Sequence, residues 1–168
     1  MSGDRAGGQV PFLVRRRQSG DEQTIARLAV EHWGSDVVVN SAGRYMVSAL
    51  DGFVAVADTG IVALAALAME DGACHVVALA SDRPRRGVGT ALLSAAEAEA
   101  RRQGCASAWL ITTNDNLEAL GFYQRRGYRL VALNAGAMAA ARLIKPAIPA
   151  VAANGIPIRD ELVLEKPL

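Results

Sequence analysis

The chain has 168 residues, enough for one ordinary domain with length to spare for loops or a short arm. Apolar residues make up 51% and charged residues 21%, which excludes a mainly disordered chain, and the longest unbroken apolar run, 61–69, is far short of the roughly 20 residues that span a bilayer. A formal net charge of +1 supplies no global electrostatic case for nucleic acid or a membrane surface as a partner.

In chain order, residues 1–9 read as a disordered tail without the apolar stretch of a signal peptide. A short apolar run, 10–14, leads into Arg15, Arg16 and Arg17, which are either a solvated strand end or an anion site. Asp21 and Glu22 open a helix to about Trp33, with Ile25, Leu28, Ala29 and His32 on one face. Residues 34–50 are ambiguous: Val37, Val38 and Val39 favour strand, while Ala42, Met46 and Ala49 suit a helical turn. Strands follow at 53–57, 61–69 and 74–80, joined by Asp58-Thr59-Gly60 and Glu70-Asp71-Gly72. Such short connections mean an antiparallel meander, and the unbroken apolar runs predict cover on both faces. After Gly87-Val88-Gly89 a helix runs to about Gln103 and stops at Gly104. The spacing then predicts a strand at 108–112, a helix starting at Asn116 behind an Asp115–Glu118 capping box and ending by Gly127, a strand at 128–133, a helix at 136–143, a loop broken by Pro146 and Pro149, and a strand at 158–164 with Leu162 and Leu164 on one face. The fold class is α/β (α+β): a mixed central sheet with an N-terminal meander and a parallel strand pair, helices on both faces, all in a single domain over 10–168. Alanine is abundant, so the layers must approach closely. Two cysteines, Cys74 and Cys105, give no disulfide framework, which fits a soluble cytoplasmic protein with reduced thiols. The two His and two Cys lack ligand spacing, so no metal is expected.

Chemistry concentrates in two segments. Asp82-Arg83-Pro84-Arg85-Arg86-Gly87-Val88-Gly89-Thr90 joins a strand to a helix through a basic, glycine-containing turn. Helix N-termini expose about four unpaired N–H groups and roughly half a positive charge, a site for a phosphate or pyrophosphate. A tight strand–helix turn without ligand is the alternative. No Gly-Lys-Ser/Thr follows, and Leu92 stands where a third dinucleotide-binding glycine would be. The second segment, Asn114-Asp115-Asn116 through Phe122-Tyr123 to Gly127-Tyr128, is a capped helix carrying a tyrosine two turns in.

The two segments together resemble the GNAT superfamily of acetyl-CoA-dependent N-acetyltransferases. Arg86-Gly87-Val88-Gly89-Thr90-Ala91-Leu92-Leu93 is similar to its acyl-CoA phosphate loop and following helix, and Asn114 to Tyr128 to its second hallmark. The likeness covers about 50–134. Residues 155–161 resemble a subgroup of bacterial members. Two positions depart from the pattern: Pro84 replaces a Gln or Arg, and Ala73 replaces a Glu that serves many members as base.

The resemblance implies acetyl transfer by direct attack of a primary amine, from a small molecule or a peptide, on acetyl-CoA. It implies cofactor contacts from Val77, Ala78 and Leu79 along a strand that parts from its parallel neighbour, from Arg85, Arg86, Gly87, Val88, Gly89 and Thr90 in the loop, and from Asn116 and Tyr123. A backbone N–H near Leu79 faces the thioester oxygen. Tyr123 is the candidate general acid, against a half-buried packing tyrosine as the alternative. The base is open between His75, placed on one strand face with Val77 and Leu79, and Glu70, with a water chain as the third option. A non-catalytic acyl-CoA-binding sensor shares the same loop and stays open, as does a phosphate-binding domain without CoA. The acceptor is expected between the N-terminal helix, 34–50 and 144–155, and a homodimer is the oligomer to test first.

Overall fold

The computed structural model describes residues 11–83 and 86–168, so the expected tail and Arg85 lie outside the described residues. The first apolar run yields β1 (Leu13–Arg16), and the acidic start opens α1 (Glu22–Trp33). Helix α1 buries Ile25, Leu28 and Ala29 and stops at Gly34, whose φ of 74° is left-handed. His32, expected on that face, is exposed and meets Asp82 instead, Nε2 to Oδ1 at 2.9 Å.

The ambiguous stretch is a hairpin, β2 (Val37–Asn40) with β3 (Gly43–Met46), followed by a 3-10 turn at Val47–Ala49. Asp36 fixes that turn: its main-chain oxygen accepts the Val47 N–H at 2.8 Å and its carboxylate accepts the Ser48 N–H at 2.9 Å. The remaining elements are β4 (Asp51–Ala57), β5 (Gly60–Glu70), β6 (Ala73–Ser81), α2 (Val88–Arg102), β7 (Ser107–Thr113), α3 (Leu117–Gln124), β8 (Arg129–Asn134), α4 (Ala137–Ile144) and β9 (Glu161–Pro167). Seven strands form one sheet in the order β1-β4-β5-β6-β7-β9-β8. All its pairings are antiparallel except that of β6 with β7.

The last strand starts three residues later than its apolar pattern suggests, because Asn114 takes the preceding backbone. Its Oδ1 accepts the N–H groups of Arg159 (2.9 Å) and Asp160 (3.0 Å), and its Nδ2 donates to the Pro157 carbonyl (2.9 Å). Leu162 and Leu164 do share a face, packed in the same cluster.

Helix α1 covers Val54, Leu64, Ala66, Ala78 and Ala80 on one face of the sheet. Helix α2 covers the other, setting Val88 and Leu92 on Ala55, Ala63 and Ala65. Those alanines let the helix sit close, and each fully buried leucine, such as Leu92, contributes about 2 kcal/mol. The arginine triplet is structural. Arg15 pairs with Asp21 at 2.7 Å, Arg16 with Glu99, and Arg17 with Glu22 and the carbonyls of Ser48 and Leu50. Hydrogen bonds from Arg102 and Gln103, with the charge of Arg16 added, hold the Glu99 carboxyl down at about 2. No described helix is long and apolar enough to cross a membrane.

Candidate active site

The site begins with a fault in the sheet. Strands β6 and β7 pair only at Ala73–Ser107, Cys74–Ala108 and His75–Trp109. Beyond those, β6 continues to Ser81 and β7 to Thr113 with no pairing between them. The stretch from Val76 to Ser81 therefore has β5 on one side and an open slot on the other. Backbone amides and carbonyls facing that slot need partners, and an extended polyamide chain supplies them.

A bulge sharpens the fault. In the β5–β6 ladder Ala66 opposes Ala78 and Leu67 opposes Val76, leaving Val77 as the extra residue. A bulge shifts every later side chain to the other face. His75 was expected to share a face with Val77 and Leu79, and the structure corrects this. Leu79 packs on the α2 side, while Ala78 and Ala80 pack on the α1 side with His75's own face.

The mouth of the slot faces the start of α2. Gly87 is the N-cap, with φ of 77°, and no side chain caps the helix. A Cβ on Gly87 would meet nothing within 4 Å, so the backbone there borders open space. Val88 is buried in the core and offers only its backbone; Arg86 is exposed. The two glycines have different jobs, because a Cβ on Gly89 would stand 3.4 Å from the Phe122 ring. Gly89 thus lets α3 close on α2.

Arg126, not singled out from the sequence, fastens that contact. Its Nε donates to Thr90 Oγ1 at 3.1 Å, a second nitrogen donates to the same oxygen, and Nη1 donates to the Phe122 carbonyl at 2.7 Å. The guanidinium lies 3.5 Å above the Phe122 ring centre. Thr90 was expected to contact a cofactor, but its hydroxyl is already committed to Arg126. The only sequence signal for Arg126 is its place after the α3 pattern, which it shares with Arg125.

On α3, Asn116 Oδ1 accepts the Ala119 N–H at 3.2 Å. Asn116 is therefore the N-cap, and the capping box expected to start at Asp115 is displaced by one residue. Tyr123 is buried between Phe122 and Tyr128, with ring centres 5.1 and 5.6 Å away. Burial pushes its phenol well above the ordinary tyrosine range, and nearby Arg126 pulls it partly back.

The opposite face holds the base candidates. His75 is 1% exposed, stacked on Trp109 at 3.9 Å and edge-on to Tyr45 at 5.2 Å. Neither ring nitrogen has a hydrogen-bond partner. Burial lowers its pKa to about 4, so the imidazole is neutral at neutral pH. Glu70 is exposed at the far end of β5, opposite Ala73 where the strands remain paired. Tyr45 lies between them: burial first, then the Glu70 charge, raises its phenol. Tyr45 and Trp109 escape a sequence reading because each looks like an ordinary strand aromatic. Cys74 is buried and its thiol pushed up to about 12, while Cys105 packs its sulfur 3.8 Å from Met69. Among the described residues no three metal-ligating side chains cluster.

Comparison with known proteins adds four findings. The sequence model of the Acetyltransferase (GNAT) family matches residues 19–128. The uncharacterized protein YxbD of Bacillus subtilis (strain 168) is 48% identical over 139 residues, 82% of this chain and 87% of its own length. The fold superposes on the IAA acetyltransferase from Bacillus cereus ATCC 14579 with a TM-score of 0.72 at 17% identity, covering 94% of this chain and 100% of the other. A GNAT family acetyltransferase from Elizabethkingia anophelis with acetyl-CoA bound gives 0.68 at 16% identity over 94% of this chain and 98% of that one.

Proposed function

The chain belongs to the GNAT acetyltransferase family, and on that premise we propose that it moves an acetyl group from acetyl-CoA to a primary amine of a small molecule or peptide by direct attack. One observation carries the reading: the slot between β6 and β7 opens onto the uncapped start of α2. The backbone from Gly87 to Thr90 holds the diphosphate of the donor, and Arg86 adds positive charge. The free edge of β6 from Val77 to Leu79 takes the amides of the pantetheine arm, with Ala78 contributing backbone only, since its side chain packs under α1. The donor supplies an activated acyl group on sulfur.

The residues of this chain then do the following. The N–H near Leu79 steadies negative charge developing on the thioester oxygen. Tyr123 keeps its proton at neutral pH and hands it to the leaving sulfur; burial raises a thiol as it raises a phenol, so the proton still has somewhere to go. His75, at the register where the strands part, accepts a proton from the amine through its unpartnered nitrogen. Glu70 stands further off, at the paired end, and serves only through water. Asn116 keeps α3 in place through its cap.

The test is direct. Calorimetry with acetyl-CoA and CoA, followed by thiol release over an amine library, is expected to show binding and turnover. A donor saturating at 100 times its Kd raises stability by about 2.7 kcal/mol, a readable thermal shift. Binding with no turnover on any amine leaves an acyl-CoA-binding module; no binding ends the reading.

A further inference from the structure

The face of the sheet opposite α2 holds a buried carboxyl group that no cationic side chain meets among the described residues. Glu161, the first residue of β9, is 1% exposed. Its carboxylate accepts one backbone N–H, that of Ser41, shared between both oxygens at 3.1 Å each. Among the described residues no Lys, Arg or His side chain pairs with it. Buried carboxylates are costly unless a cation and several donors surround them. The other buried carboxylates of the chain obey this rule: Glu97 meets Lys166 at 2.8 Å, and Glu99 meets Arg16 and Arg102. Glu161 is the exception.

Its position is informative. Glu161 opposes Thr113 on one side and Asn134 on the other. Cross-strand partners share a face, and so do alternate residues along a strand. Glu161 therefore lies on the face of Thr113, Trp109 and His75, whose ring nitrogens are also buried without partners. The β2–β3 hairpin spans the two groups, with Tyr45 against His75 at one end and Ser41 on Glu161 at the other. The hairpin stands outside the main sheet, and its tip residues Ser41 and Ala42 are exposed. The ties of that tip to the sheet are polar: the Ser41 N–H on Glu161, and Asn134 Nδ2 donating to Ser41 Oγ at 2.9 Å.

We infer that Glu161 anchors a second cationic group of the acceptor, so that the preferred acceptor is a dication: one amine attacks, and the other replaces the Ser41 N–H on Glu161 as the hairpin tip lifts. The inference rests on the acetyl-transfer reading and adds the acceptor class. Counted from the His75–Trp109 pair, Thr113 is four residues along β7 and Leu79 four along β6, so Glu161, one strand beyond Thr113, lies at least about two strand widths, roughly 10 Å, from the open edge of β6. That gap suits two nitrogens joined by about six to eight carbons, given the same strand spacing.

Equilibrium binding in the presence of CoA tests this without relying on turnover. Calorimetric titration of the CoA-saturated protein compares 1,6-diaminohexane and 1,8-diaminooctane with hexylamine and octylamine. The diamines are expected to bind at least about tenfold more tightly than their monoamine partners; Glu161→Gln removes the difference, and Glu161→Asp keeps part of it. Equal binding of diamine and monoamine by the unaltered protein overturns the inference, even where Glu161→Gln fails to fold. So does a preference that survives Glu161→Gln. Failure of the transfer reading looks different: CoA itself does not bind, or bound acetyl-CoA releases no thiol with any amine.

Discussion

The two faces of the sheet at the slot are built on opposite plans. On the α2 side, packing is apolar and the polar groups offered are mostly main-chain ones, the first turn of α2 and the open edge of β6, with the phenols of Tyr123 and Tyr128 added to them. On the hairpin side, the polar groups are side chains, His75 and Glu161, buried with too few partners. A backbone-built side recognises what every donor shares, namely phosphates and amides. A side-chain-built side is free to differ from one relative to the next. On the proposed function, the contrast lets one scaffold fix its donor and leave its acceptor to a hairpin and a few residues.

Substitutions at four positions break or sharpen that contrast, in order of expected size. Tyr123→Phe removes the proposed proton donor at nearly constant shape; kcat is expected to fall about a thousandfold while the Kd for acetyl-CoA stays within about twofold. Equal loss of both would assign Tyr123 to packing alone. His75→Phe tests the other face through stability. The folded pKa of about 4 lies below the ordinary 6.5, so the unfolded chain binds the extra proton. The native state therefore loses stability as pH falls from about 6.5 to about 4, by up to about 3 kcal/mol, and gains it back as pH rises. The variant should lose that slope in denaturant titrations across the window; the slope that Glu99 contributes lies lower, between its ordinary 4.5 and about 2, and should persist. Gly87→Val fills the open space at the α2 cap and strains a φ of 77°. Acetyl-CoA affinity measured by calorimetry should drop about a hundredfold; retained affinity would move the donor site elsewhere. Arg126→Ala unties Thr90 from Phe122, and a rise of about tenfold in the KM for acetyl-CoA is expected from the loosened α2–α3 contact. Arg126→Lys, which cannot make the forked contact, should recover little.

Much of the α2 side was legible in the sequence. Strong apolar runs gave the meander, and Gly-Val-Gly after a strand marked the cap. The hairpin side was not, for reasons that belong to particular residues. The run Val76-Val77-Ala78-Leu79-Ala80 is apolar on both faces, so nothing in it reveals that Val77 is the extra residue, and His75 was put on the face of Leu79, from which the bulge parts it. Residues 34–50 contain β-branched and helix-compatible residues in turn, and Asp36 decides the outcome through Ser48, 12 positions away. Arg159, Asp160 and Glu161, at the start of the expected 158–164 strand, are of the charged types that normally face solvent. Only a contact with Ser41 across 120 positions, and the grip of Asn114 on the preceding backbone, bury the glutamate.

The short parallel seam has a mechanical corollary. Three residue pairs join the meander to the C-terminal strands, and His75–Trp109 is the last of them. From there β6 reaches about 20 Å to its end, so the seam is the pivot of a pair of tongs whose jaws, on the proposed function, hold the donor. Turning one jaw by about 5° moves its tip by nearly 2 Å, more than the roughly 1 Å misplacement that costs a reaction a hundredfold. Small side chains at the pivot, such as Cys74 and Ala108, thereby govern rate from a distance: a bulkier residue there leaves every reacting group in place along the chain and spoils their aim.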